Sequence, residues 1–343
     1  MRVEFFFKSQ VELSALVNFM KGYHQPAHQS AMIATSKLAP VQLITDNVFS
    51  RFNLANKVKN DNLLVSAKNI INVMPDADVC IHYSLKYNSQ KSVEQSFSYF
   101  NGFLTKAEEI GVKEVMIISG SGDKKALNTV SCLQMLRDSD KHSTPIEFGV
   151  AFNPYFPDAK MRAMEVDRLH AKLSTGMVST VYLQFGSDTN LLEEGLKEIQ
   201  NAISSYEDTA SLKKDSLKKI KVSGSVMIPS KVLLARMKFR PWNGVFLSEL
   251  FLSEVPAAEK IVLKILSIYK TFGVEPLVET AFKTDSDASH ILKLLSGIQC
   301  TKDNNDADLT APLKQNTKSV PVLSQATTKT VEEPRKRRNV SKA

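Results

Sequence analysis

Short apolar runs alternate with longer segments of helical periodicity along most of the chain. The runs are rich in β-branched and aromatic residues, a pattern typical of parallel strands buried on both faces. They predict strands at residues 3–7, 31–36, 78–84, 114–120, 146–153, 180–185, 220–228 and 275–281. The segments between and after them predict helices at residues 11–23, 48–60, 92–111, 126–139, 159–176, 190–206, 257–273 and 288–295.

This alternation predicts an α/β protein, and eight strand–helix units favour a closed (β/α)8 TIM barrel. An open doubly wound sheet is the alternative, because periodicity alone does not show that a sheet closes. No Gly-x-Gly-x-x-Gly follows the first predicted strand, which argues against a classical dinucleotide-binding sheet. The seventh connection, residues 229–273, holds more helical sequence than one crossover needs. We therefore expect extra helices beside the barrel.

Composition is that of a soluble globular protein, with 43% hydrophobic and 8% aromatic residues. No apolar run approaches the roughly 20 residues that span a bilayer, and no secretory signal precedes the first strand. We expect a cytoplasmic protein without a membrane partner. The three cysteines, Cys80, Cys132 and Cys300, lack metal-ligand spacing and fit a reducing compartment, so no metal site is predicted.

Half of the net charge of +8 lies in the last 43 residues, which carry nine Lys/Arg, five Asp/Glu and no aromatic residue. Such a segment cannot bury enough apolar surface to fold alone. The predicted organisation is a barrel over residues 1–299 and a disordered basic tail over residues 300–343. The cluster from Arg335 to Arg338 is either a nuclear-import signal or a weak polyanion contact. The folded part lacks the interleaved aromatic and basic residues of a specific nucleic-acid site.

Polar residues stand inside or at the ends of several apolar runs. Glu4 precedes three phenylalanines, Asp123 follows the run at 115–122, and Gln184 closes the run that begins at residue 181. Polar residues at the carboxyl ends of different strands build the active sites of TIM barrels. The alternatives are a Glu4 paired with a lysine in the barrel and a Gln184 that reaches solvent. The three residues together favour a catalytic site.

The order and spacing of seven motifs resemble the methylenetetrahydrofolate reductase family over roughly residues 2–297. Val3-Glu4-Phe5-Phe6-Phe7 resembles the family's opening Phe-Glu-Phe-Phe, and the segment 78–83 resembles its third strand. Gly122-Asp123 ends a stretch similar to the fourth strand, and Gln184-Phe185-Gly186-Ser187-Asp188 resembles Gln-Phe-Phe-Phe-Asp. The remaining three similar segments are 151–159, 169–176 and 222–229.

This resemblance implies FAD bound at the carboxyl ends of the strands and hydride transfer from NADH or NADPH, through the flavin, to a folate one-carbon carrier. It implies that Glu4 is the general acid, that Asp123 pairs with the pterin and influences the flavin, and that Gln184 hydrogen-bonds the pterin. Lys283 lies near the position of the family's folate-binding arginine. Aromatic surroundings favour the neutral form of a carboxyl group. A general acid that works near neutral pH must be in this protonated form.

The implied cofactor contacts are His82, Gly122, Phe152, Phe156, Ala159, Glu165 and Lys172. Several departures weaken this set, because Ser121, Phe156 and Phe152 replace an arginine, a histidine and a tyrosine of the family. A core role for His82 and an exposed helix position for Lys172 are the alternatives. The second functional hypothesis is a barrel that has lost cofactor binding and serves as a scaffold or regulatory protein. The choice between NADH and NADPH stays open, as does oligomeric state, with a homo-oligomer compatible with the chain.

Overall fold

The computed structural model describes residues 2–5, 51–54, 60–120, 126–139, 144–212 and 219–280, all within one compact unit, residues 1–301. The described strands are β1 (Arg2–Phe5), β2 (Arg51–Leu54), β3 (Asp78–Ser84), β4 (Glu114–Ile118), β5 (Glu147–Phe152), β6 (Val178–Leu183), β7 (Lys221–Met227) and β8 (Glu275–Thr280). The described helices are α1 (Asn60–Val73), α2 (Val93–Glu109), α3 (Thr129–Arg137), α4 (Ala159–Leu173), α5 (Thr189–Leu212), α6 (Lys231–Phe239), α7 (Glu249–Ser253) and α8 (Val255–Phe272).

Neighbouring strands pair in parallel and in chain order, from β1 to β8. β1 pairs with β2 on one side and with β8 on the other, so the described strands close on themselves. The predicted α/β architecture of the TIM-barrel type is confirmed. The segment between β1 and β2 lies outside the described residues, so a full set of eight strand–helix units stays a prediction.

The predicted helix at residues 48–60 is wrong, because Arg51–Leu54 is strand β2 and the helix begins only at Asn60. A four-residue strand containing an arginine and an asparagine shows no apolar run. Its pairing with β1 and β3, and not its own propensity, decides its conformation. Helix α1 was not predicted. The predicted strand at 31–36 and the predicted helices at 11–23 and 288–295 lie outside the described residues.

The residues at which several helices begin or end can be explained by capping hydrogen bonds, proline and glycine. At the amino ends of α2, α3, α4, α6 and α7, a capping side chain accepts a hydrogen bond from a backbone N–H three residues further on. Helix α8 has Pro256 in its first turn and stops at Gly273, whose φ of 67° lies in the left-handed region that favours glycine. No described helix is both long and apolar enough to cross a membrane.

The buried residues form two layers. The larger layer lies between strands and helices and includes Val79, Ile81 and Tyr83 of β3. The smaller cluster, here called the apolar floor, consists of Cys80, Met116, Tyr182 and Leu277. Because side chains alternate across a strand, the two layers occupy opposite faces of the sheet. The face that carries the apolar floor is the inner face of the barrel.

The connection between β7 and β8 contains α6, α7 and α8, and part of it reaches the carboxyl ends of β5 and β6. Asn153 Nδ2 donates to the carbonyl oxygen of Gly244 at 2.9 Å, and the backbone N–H of Ser248 donates to Ser187 Oγ at 2.6 Å. Residues 244–248 therefore cross the ends of two strands, where TIM-barrel sites are built. The sequence pattern predicted helices in this connection but not these contacts.

Candidate functional site

A polar layer lies directly above the apolar floor. His82, Gln184 and Glu279 each follow a floor residue by two positions, after Cys80, Tyr182 and Leu277 respectively. Residues two apart in an extended chain lie on the same face. The inner face thus changes from apolar to polar toward the carboxyl ends of β3, β6 and β8.

Strand register places the position of Glu4 in this layer. It is the Cα partner of Glu279 on β8 and of Asn53 on β2. Directly paired residues of parallel strands lie on the same face of the sheet. The structure therefore brings the positions of Glu4, His82 and Gln184, three of the residues singled out from the sequence, to one face. Glu279 joins them without having been predicted.

Glu279 is a buried carboxyl group that follows Leu277 and Val278 on β8. It is 9% exposed, and Ser225 on the neighbouring strand hydrogen-bonds its carboxylate. Burial raises the pKa of Glu279, while the hydrogen bond from Ser225 acts in the opposite direction. The sequence pattern that drew attention to Glu4 is also present at Glu279. Leu277 and Val278 precede it, so a carboxylate again stands in an apolar run.

His82 and Gln184 are both half-buried. The His82 ring meets the Tyr182 ring edge-on, with 6.4 Å between ring centroids, so a floor residue supports it. The Gln184 side-chain oxygen accepts a hydrogen bond from the backbone N–H of Phe185 at 2.9 Å. The amide –NH2 of Gln184 is then the part of the side chain that can donate to a bound molecule.

The predicted cofactor contacts at and after the carboxyl end of β5 do not join the inner face. Phe152 is 1% exposed in the layer between strands and helices, with its ring close to Gly195 of α5. The Phe156 ring packs against Phe246, with centroids 5.6 Å apart. Ala159 is the exposed first residue of α4. These side chains contact protein or solvent in the structure.

Glu165 and Lys172 also have partners within the protein. Lys172 Nζ donates to the carbonyl oxygen of Ala151 at 2.6 Å and lies 3.8 Å from Glu165 Oε1. Glu165 Oε2 accepts from Arg168 Nη1 at 2.9 Å. Burial lowers the pKa of Lys172, and the nearby Glu165 carboxylate opposes that shift. The alternative of an exposed Lys172 is wrong, because the residue is buried and ties α4 to β5.

The remaining predicted site residues, Asp123, Gly122 and Lys283, lie outside the described residues. By chain position, Gly122 and Asp123 follow β4 by a few residues and Lys283 follows β8. Within the described part of the chain, no group of His, Cys, Asp and Glu residues could hold a metal ion.

Comparisons with known proteins give structural similarity only. No protein-family model matches the chain, and no curated protein matches it. A 2,3-dimethylmalate lyase of the PEP mutase/isocitrate lyase superfamily is similar in structure, with 11% identity and a TM-score of 0.40, over 90% of this chain and 93% of that chain. The catalytic domain of a chitinase from Pyrococcus furiosus is similar with 8% identity and a TM-score of 0.45, over 87% of this chain and 95% of that chain. At these TM-scores, the similarities carry no argument about function.

Proposed function

We propose that this protein is a flavin-dependent reductase of the methylenetetrahydrofolate reductase type, which moves hydride from NADH or NADPH through FAD to a folate one-carbon carrier. One observation carries the proposal. The positions of Glu4, His82 and Gln184, which the motif resemblance singles out, share the inner face above the apolar floor. Apolar side chains edged by a few polar groups are the usual lining of a site for a flat aromatic ring system.

Each residue has a distinct role in this proposal. Glu4 donates a proton to the folate nitrogen as the bridging ring opens, which is general acid catalysis. Gln184 orients the pterin through its amide group, and His82 would help to hold the flavin ring. FAD, when bound, supplies the hydride acceptor and donor. The floor residues Tyr182 and Leu277 exclude water from the reacting face because they are buried and packed together.

The described residues offer fewer groups for the diphosphate of FAD than for its ring system. The family's phosphate-binding arginine corresponds to Ser121, and Lys172 already donates to the Ala151 carbonyl. Loss of a bidentate cation weakens an anionic cofactor site. This observation favours the second candidate function, in which the barrel has lost the cofactor and serves as a scaffold or regulatory protein. The proposed fold of the whole chain is a (β/α)8 barrel over residues 1–299 with extra helices in its seventh connection.

The two functions differ in whether the purified full chain binds FAD. A yellow protein with the absorption of oxidised flavin, or one that binds added FAD in a fluorescence titration, supports the reductase. A folded protein that binds no FAD at any concentration tested supports the scaffold.

Stopped-flow measurement of the two half-reactions then tests the acid. Glu4→Gln keeps the side chain's shape but removes its transferable proton. Reduction of the flavin by nicotinamide should be nearly unchanged, while turnover of methylenetetrahydrofolate should fall by about 10²- to 10⁴-fold. The matched control is Glu198→Gln, an exposed glutamate on α5, which should alter neither half-reaction. Equal loss in both half-reactions for Glu4→Gln would make Glu4 structural.

A further inference from the structure

Helix α6 exposes apolar side chains in addition to those that it buries. Leu234 and Met237 are buried and attach the helix to the rest of the protein. On the outer side, Phe239 is 94% exposed and Val232 is 71% exposed. Single exposed apolar residues are ordinary on protein surfaces, so the spacing of these two and the charges around them decide whether they form a binding surface.

Val232, Arg236 and Phe239 form one line along α6. They are spaced i, i+4 and i+7, and residues at these spacings lie on one face of a helix. Lys231 and Lys238 are also exposed and each directly precedes an apolar residue of this line. Arg240 is exposed at the end of the helix. We call this surface the basic face of α6, and it consists of Lys231, Val232, Arg236, Lys238, Phe239 and Arg240.

The basic face carries four cations and no neighbouring acid in the sequence. No Asp or Glu occurs between residues 229 and 248, and the next acid along the chain is Glu249, the first residue of α7. Among the described residues, none of the four cations forms an ion pair. The face is therefore complementary in charge to an anionic surface.

The stability of the helix explains only part of this charge. Arg236 and Lys238 lie in the last turn of α6, where cations interact favourably with the helix dipole. Lys231 is the first residue of the helix, where the dipole disfavours a cation. The dipole also gives no reason for an almost fully exposed Phe239. The composition of the basic face thus fits a role in binding better than a role in stabilising α6.

We propose that the basic face of α6 binds the surface of an anionic lipid bilayer. Lysine and arginine side chains are attracted to anionic headgroups, and phenylalanine and valine side chains can enter the boundary between headgroups and acyl chains. The high exposure of Phe239 and Val232 shows that both project from the protein. A protein partner would need a matching pocket for them, whereas a layer of headgroups accommodates a projecting side chain. The expectation of no membrane partner rested on the lack of a spanning segment, and binding at the surface needs none.

The position of α6 relates this surface to the carboxyl ends of the strands. The helix begins four residues after the end of β7, and residues 244–248, which follow it, cross the carboxyl ends of β5 and β6. A bilayer bound to α6 would therefore lie near the end of the barrel that carries the proposed site. The inference does not rest on the reductase function, because it uses no residue of that site.

Sedimentation of the full chain with lipid vesicles tests the proposal. The wild type should bind vesicles of mixed phosphatidylcholine and phosphatidylserine, should bind pure phosphatidylcholine vesicles much more weakly, and should lose affinity as salt is added. Phe239→Ser should lower the affinity for mixed vesicles by about tenfold or more, and Val232→Ser should lower it severalfold. Lys231→Gln should lower it by about fivefold, the effect of one cation near such a surface. The matched controls, Val65→Ser on α1 and Lys264→Gln on α8, replace exposed residues outside the basic face and should bind as the wild type does.

Thermal unfolding of these variants should be nearly the same as that of the wild type, because every replaced residue is exposed, so that lost binding is not lost folding. Equal binding of Phe239→Ser and the wild type to mixed vesicles would overturn the proposal and would assign the attraction to other basic segments. Replacement of the four basic residues at 335–338 by glutamine in the full chain should leave the dependence on Phe239 intact.

Absence of vesicle binding by the wild type would also overturn the proposal. In that case, binding of an oligouridylate RNA that depends on Phe239 would assign the basic face to nucleic acid. A dimer that depends on Phe239, detected by sedimentation without vesicles, would assign it to a second copy of the chain. Neither result would bear on the reductase, which is tested by the binding of FAD.

Discussion

Gly149 of β5 is a position where the packing leaves little room for a side chain. A Cβ atom at residue 149 would lie 2.5 Å from Tyr182 Cε2 and 3.0 Å from Glu114 Oε1. Carbon atoms in contact are about 3.5–4.0 Å apart, so the ring would have to move by about 1 Å. Tyr182 is 2% exposed within the apolar floor, and it cannot move without displacing its neighbours. We therefore expect Gly149→Ala to destabilise the fold.

The magnitude follows from two opposing effects. Overpacking of a core by a methyl group costs about 1–3 kcal/mol. Alanine also restricts the unfolded chain, which returns about 0.4–1 kcal/mol. The expected net loss is about 1–2 kcal/mol in the free energy of unfolding, or a decrease in Tm of about 2–4 °C per kcal/mol.

Gly102 provides the matched control because it undergoes the same chemical change in open surroundings. It lies within α2, and a Cβ atom there would meet nothing within 4 Å. Gly102→Ala should stabilise the protein by about 0.5–1 kcal/mol, the usual gain from alanine in a helix. Thermal and urea unfolding of the two variants should shift in opposite directions. If Gly149→Ala is as stable as the wild type, or if its effect simply adds to that of Tyr182→Leu, the close packing of the ring on Gly149 is refuted.

Two further predictions concern α4. Asp158 Oδ1 caps α4 by accepting a hydrogen bond from the Met161 N–H at 2.8 Å. Asp158→Ala should therefore lower the free energy of unfolding, measured in urea, by about 1 kcal/mol. Asp158→Asn, which keeps an accepting oxygen, should retain most of the wild-type stability. Equal stability of the alanine and asparagine variants would contradict the cap. Burial lowers the pKa of Lys172 below its ordinary value of 10.5. Between these two values the unfolded chain binds more protons than the folded protein. The contribution of Lys172 to the free energy of unfolding should therefore rise with pH in that window. Lys172→Met should lack this rise, and parallel stability–pH curves for wild type and variant would show that Lys172 is not desolvated.

Local patterns were sufficient for most of the described elements. Strands β3 to β8 fall within or close to the predicted segments, because each is an apolar run long enough to be recognised and flanked by helical periodicity. The inward position of His82 was not visible in that pattern. It depends on which alternate face of β3 meets the helices, and only the packing of Val79, Ile81 and Tyr83 settles that.

Strand β2 and the burial of Lys172 were decided by tertiary structure alone. The sequence from Arg51 to Leu54 has weak strand propensity and becomes a strand because β1 and β3 hydrogen-bond to it. Lys172 looks like a solvent-facing helical lysine until the Ala151 carbonyl is placed against it. In both cases the deciding partner is distant in sequence, so no local window contains the information.

The sequence by itself determined the class of fold and the presence of a carboxylate at Glu4 that is expensive to bury. Only the closed sheet decided that a second carboxylate, Glu279, stands beside it, since these two residues are 275 positions apart and meet only because β8 pairs with β1. A one-residue change in that register would have moved Glu279 to the opposite face. The chemistry of the proposed site thus depends on strand register, which is set by the packing of all the strands together and cannot be inferred from any one of them.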